Sequence, residues 1–152
     1  MKEIPISKIY EALSAVADER IEEKDQNTFL VTSSDHTKKY TVILNGKSAS
    51  SNDNATYWQH YAGYPIIAVF LYRKEIPFDN TLLRYFRNIP WKKLNTENKN
   101  DYDKSIEQAF HGLEEKTRKE IQEETTRIRL DFLALGIMVK GNRKSLVPAS
   151  LH

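Results

Sequence analysis

The four histidines, His36, His60, His111 and His152, are the first residues to weigh for chemistry, and their spacing argues against a metal centre. They fall in a turn, an aromatic cluster, a helical stretch and the chain end, with no two at the short separations that let paired imidazoles share a cation. The chain has no cysteine, which removes disulfides, thiolate ligation and cysteine nucleophiles together. No metal is expected. Gly46-Lys47-Ser48 matches the end of a phosphate-binding loop, but that motif requires a glycine five residues before Gly46, where Thr41 stands. No cofactor is expected either. A metal-dependent hydrolase or nuclease would need an acidic residue and a Glu-x-Lys pair at adjoining strand ends. Glu22-Glu23-Lys24 and Glu97-Asn98-Lys99 have the spacing, yet they read as a helix exit and a linker, so this is the third-ranked reading.

Binding chemistry has better material, in two groups. Tyr57, Trp58, His60 and Tyr61, followed by Tyr64, crowd one short stretch. A histidine among phenols in a cleft can pass protons. Aromatics at spacings of three and four more often fill a core or an interface, and a histidine at a core margin is commonly just hydrogen-bonded there. The second group is the basic segment from Arg84 to Lys93, where Arg84, Arg87, Trp91, Lys92 and Lys93 interleave cations with rings, the combination that contacts phosphates and stacks bases. RNA or DNA binding is the alternative drawn from it. Against that alternative, Tyr85 or Phe86 is needed to bury the short helix carrying them, and the isoelectric point of 8.7 falls below that of a typical basic binding domain.

Composition bounds the rest. At 152 residues, 39% hydrophobic and 29% charged, the chain fits one domain over 1–140, followed by a basic tail over 141–152. A mean hydropathy of −0.63 and the lack of any apolar run near the roughly 18 residues of a membrane helix argue against a membrane partner. Met1-Lys2-Glu3-Ile4-Pro5 opens no signal peptide. A cytoplasmic protein is expected, and a net charge of +2 names no partner.

The elements that must position these residues follow from periodicity. Ile6, Ile9, Tyr10, Leu13, Val16, Ala17 and Ile21 recur at three and four, with Glu11, Ser14, Asp18 and Glu22 between them, which predicts an amphipathic helix with Ser7 as N-cap and a charged exit over 22–27. Runs 28–33 and 39–44 predict an antiparallel hairpin turning at Ser34-Asp35-His36-Thr37. Residues 47–54 are almost free of large apolar side chains and read as a surface loop. Tyr64 to Tyr72 is the one uninterrupted apolar run. Its β-branched and aromatic content favours a third strand at 66–72, while Pro65 after Gly63 keeps a helix open, with another helix over 54–61 before it. Asp79 caps a short helix, and 95–100 reads as a polar linker. From Asp101 a helical pattern runs to about Leu135, with Glu114 and Arg118, Glu115 and Lys119, and Glu123 and Arg127 at pairing distance. Unbroken, that helix would be about 52 Å long, against a globule diameter near 38 Å, so it bends at Gly112 or Thr125-Thr126, or projects. Residues 137–139 can add an edge strand.

The fold class is therefore α+β: an N-terminal helix, a small antiparallel sheet on the 28–44 hairpin, and helices ending in a long charged one. The functional expectation is a non-enzymatic binding or adaptor protein that self-associates as a homodimer, through the long helix or the Tyr57 to Tyr64 aromatics. One arrangement would displace the adaptor reading. It is a water-filled hollow walled by indole and phenol rings with an ionisable pair at its floor.

Overall fold

The computed structural model describes residues 3–142 and the backbone of 147–148, and its architecture is α+β. Helix α1 spans Ile6–Ala17 and leads into strands β1 (Ile21–Asp25), β2 (Thr28–Thr32), β3 (Lys38–Asn45) and β4 (Ser48–Ser51). A π-helical turn, Ala55–Gln59, precedes helix α2 (Tyr64–Tyr72), and a 3-10 helix, Asn80–Phe86, precedes α3 (Trp91–Glu97), α4 (Tyr102–Ala109) and α5 (Glu115–Ala134). Strand β5 (Met138–Gly141) closes the sheet in the order β1-β2-β3-β4-β5. All neighbours are antiparallel except β4 and β5, which are parallel. A two-residue strand β6 (Val147–Pro148) pairs with Lys38 and Lys39 of β3. The remainder of the basic tail expected at 141–152, with His152, lies outside the described residues. No helix among the described residues is long and apolar enough to cross a membrane.

The apolar run is a helix, not a third strand. Helix α2 buries every residue from Pro65 to Leu71, packing on α1 and on strands β1 to β4. Apolar on all sides, it carries no period that separates helix from strand, and burial on two fronts outweighs the few tenths of a kcal/mol that each β-branched residue costs a helix. Gly63 is extended before it and Pro65 sits in its first turn, where a missing N–H costs nothing. Phe29 of β2 meets Tyr72, and Phe70 meets Phe132 of α5, at centroid distances of 6.2 and 5.6 Å.

Other boundaries differ from the periodicity for local reasons. Helix α1 ends at Ala17 because Glu19 turns left-handed at φ 54, so the charged stretch 21–25 becomes edge strand β1, where exposed charges protect an open edge. Pro5, not Ser7, stands at the N-cap, and Ser7 is buried with its hydroxyl unpartnered among the described residues. Residues 48–51 are not a surface loop but the buried strand β4. Gly46, at φ 59, supplies the tight turn after Asn45, and Ala49, Ser50 and Ser51 are small enough to let α2 approach. The β2–β3 turn is pinned by Asp35, whose Oδ1 accepts from Ser33 Oγ at 2.8 Å and Thr37 Oγ1 at 2.7 Å.

The long helical pattern breaks between Ala109 and Glu115, around Gly112, leaving α5 as a 20-residue helix, about 30 Å long at 1.5 Å per residue. Thr125 causes no bend that ends the helix; it is buried and its hydroxyl donates to the Gln122 carbonyl at 3.0 Å. Arg127 pairs with Glu124 and Asp131, at 3.0 and 2.6 Å, instead of Glu123. Asp79 caps as expected, accepting from Thr81 N–H at 2.9 Å. Of the polar linker expected at 95–100, residues 95–97 complete helix α3 and 98–100 form the turn after it, with Lys99 and Asn100 in left-handed geometry.

Candidate functional site

The polar face of α1 is covered rather than solvated, and that creates the site. Lys8 and Glu11, one turn apart, are both buried and face each other at 3.5 Å, with the Lys8 ammonium 4.6 Å from the Tyr102 ring centre. They open onto a cleft of about 770 Å³. Its walls come from the β2–β3 turn and β3 (Ser33, Lys38, Tyr40), the 53–61 segment (Asp53, Trp58, Tyr61) and the α3–α4 region (Lys92, Asn95, Tyr102). Buried charges in a concave polar site mark candidate ligand chemistry.

The electrostatics favour protonated groups. Burial pushes the Glu11 carboxyl up, against the opposing pull of Lys8 and Arg20. Burial also works against the Lys8 ammonium, but Glu11 and the phenols of Tyr102 and Tyr61 outweigh it, so Lys8 stands above the ordinary lysine value and stays charged. Burial, then Asp53 and Asp35, pushes the Tyr40 phenol up to about 12. Burial raises Tyr61 and Tyr64 as well. Near neutral pH the phenols are thus hydrogen-bond donors.

Asp53 is the structural pin of one wall. Its carboxylate accepts from the Thr56 N–H at 3.1 Å and the Thr56 hydroxyl at 2.8 Å, and Thr56 Oγ1 in turn accepts from Gly63 N–H at 2.9 Å. This chain of bonds ties the π-helical turn to the start of α2. The turn ends at His60 in left-handed geometry, φ 63. Single π turns and left-handed non-glycine residues concentrate at functional sites.

The structure divides the expected binding residues. Trp58 and Tyr61 line the cleft, as does Lys92, which also pairs with Asp35 at 3.7 Å. Tyr57 stacks edge-on with Trp58 at 4.7 Å and lies against Gly141. His60 is exposed and borders a different, mostly apolar hollow with Ile4, Phe132 and Met138. Trp91 is buried in a ring cluster with Tyr10 and Phe110, its Nε1–H donating to Ser14 Oγ at 2.8 Å. It therefore cannot stack on a base. Arg84 folds onto the neighbouring Tyr85 at 4.7 Å, while Arg87 and Lys93 are exposed. The rings of the basic segment are therefore not free: Phe86 and Trp91 are buried and Tyr85 lies under Arg84. No group of three His, Asp or Glu side chains that could hold a metal converges among the described residues.

Sequence reasoning passed over Lys8, Glu11, Lys38, Tyr40, Asp53 and Asn95. By spacing Glu11 belongs to the polar face of an amphipathic helix, and only its burial in the fold says otherwise. A lysine and a glutamate one turn apart were the available signal, and such pairs are common on solvated helices.

A family model described as uncharacterised conserved protein UCP014422 matches residues 1–136. The chain belongs to this family. The matched span holds every residue of the cleft, from Lys8 to Tyr102. No curated protein and no solved structure matches the chain.

Proposed function

We propose that the protein is a small-molecule-binding protein, whose polar ligand occupies the cleft over Lys8 and Glu11. The buried ion pair at the floor of an aromatic-walled hollow carries this reading: two charges are costly to desolvate, and burying them beside an opening is useful chiefly where a ligand meets them. This arrangement supports a small-molecule ligand ahead of a protein adaptor as the primary reading, with binding and not catalysis still the role proposed. A cytoplasmic setting belongs to the same proposal.

Thermal melting with a low-molecular-weight cell extract tests the reading. A ligand at 100 times its dissociation constant stabilises by about 2.7 kcal/mol, so the wild type should melt several degrees higher in the extract. Thr96→Trp, which fills the cleft from an exposed position on α3, should lose that shift. An equal shift in both proteins, or none in either, removes the proposal.

Self-association is the second reading, favoured by Leu130, Leu133 and Met138, which are 60%, 44% and 73% exposed on α5 and the edge strand β5. Exposed apolar side chains beside an open sheet edge suit a second copy of the chain. Light scattering after size exclusion should give twice the 17.7 kDa monomer mass, and Met138→Lys should return the monomer. A strict monomer at high concentration would refute this.

A further inference from the structure

The ionisable side chains of the cleft are mostly hydrogen-bond donors. Lysines reach it from three elements: Lys8 on α1, Lys38 on β3 and Lys92 on α3. Lys8 is matched by Glu11 and Lys92 by Asp35, whereas Lys38 has no ion-pair partner among the described residues. Of the two carboxylates in the wall, Glu11 is committed to Lys8 and Asp53 to Thr56. The phenols of Tyr40 and Tyr61 keep their protons beyond the ordinary tyrosine value, with burial as the main cause, and so face a ligand as donors. The hydroxyls and amides that share the lining, among them Ser33, Asn54 and Asn100, can donate to the same ligand.

An oxyanion fits such a wall, because its several lone pairs accept from ammonium and phenol groups at once, and charge-assisted bonds of this kind are the strong ones. The geometry points to a ligand of one class: a small molecule bearing a phosphate or carboxylate, seated against Lys8 and Lys38. This deepens the small-molecule reading above and rests on it. Trp58, 67% exposed at the cleft, is the side chain through which occupancy can be followed by fluorescence.

Inorganic pyrophosphate and citrate are the probes, titrated calorimetrically into the full chain at ionic strength held constant with sodium chloride, with ribose as the neutral arm. At least one anion should bind saturably and ribose should not. Pyrophosphate alone assigns a phosphate, citrate alone a carboxylate, and both together a general oxyanion seat. Lys38→Met should weaken binding tenfold or more, with Lys38→Gln as a second variant that keeps a polar side chain. Lys93→Met removes the same charge from an exposed position outside the cleft and should leave binding unchanged. No anion binding above the chloride control, or equal weakening in the Lys38 and Lys93 variants, overturns the oxyanion assignment. The small-molecule reading is decided separately by the Thr96→Trp comparison, so an extract shift without anion binding would sink this inference alone.

Discussion

Lys8→Met is expected to lower the unfolding free energy by about 3–5 kcal/mol near neutral pH, the cost of leaving one member of a buried ion pair without its partner. The side chains of Lys8 and Glu11 are only 11% and 9% exposed, so water cannot replace the ammonium. The deficit should depend on pH in a definite direction. Glu11 has a folded-state pKa raised above its ordinary 4.5, so its contribution to stability is present below that ordinary value and is lost as pH rises through the folded one. Removing Lys8 raises the folded value further, and the deficit should shrink as pH falls from 7 towards 4.5. Replacing the pair together, Lys8→Met with Glu11→Leu, should recover most of the loss at neutral pH. Urea denaturation of the three proteins at two pH values measures all of this. A deficit below about 1 kcal/mol with no pH dependence would mean that the pair behaves as an exposed one.

Gly63→Ala is expected to cost about 2–4 kcal/mol, through overpacking and the disturbance of buried hydrogen bonds. An added Cβ would collide with the Asp53 carboxylate, lying 2.7 Å from its Cγ. Gly63 has an ordinary backbone, φ −74, so the difficulty is space and not conformation. Asp53 cannot swing away cheaply, because both of its oxygens are held by Thr56. Loss of that chain of bonds should also loosen the π-helical turn that carries Trp58, shifting its fluorescence before global unfolding. Gly112→Ala is the control: nothing stands within 4 Å of its added Cβ, and the change should stay within about 0.5 kcal/mol. Chemical denaturation followed by tryptophan emission compares the two, and a neutral Gly63→Ala would show that Asp53 is not confined.

Local patterns in the chain were enough to set much of this architecture. The three-and-four spacing from Ile6, which ran on to Ile21 although the helix stops at Ala17, the alternating runs around Asp35, the Asp79 cap and the weak point at Gly112 each act within a few residues. The candidate site was legible only in part, through Trp58, Tyr61 and Lys92. Those residues are conspicuous by type, whereas Lys8, Glu11 and Lys38 look like any solvated charge until something covers them.

The sequence by itself determined an α+β domain of helices and hairpin, with an apolar segment that had to be buried. Tertiary structure alone decided that Tyr64–Tyr72 is a helix, that Ser48–Ser51 is an inner strand beneath it, and that the polar face of α1 closes over a charged cleft. The physical reason is shared by all three. A run apolar on every side, a stretch of small residues and a charged helix face have no preference of their own strong enough to choose a partner, and each takes its state from the surface that packs against it.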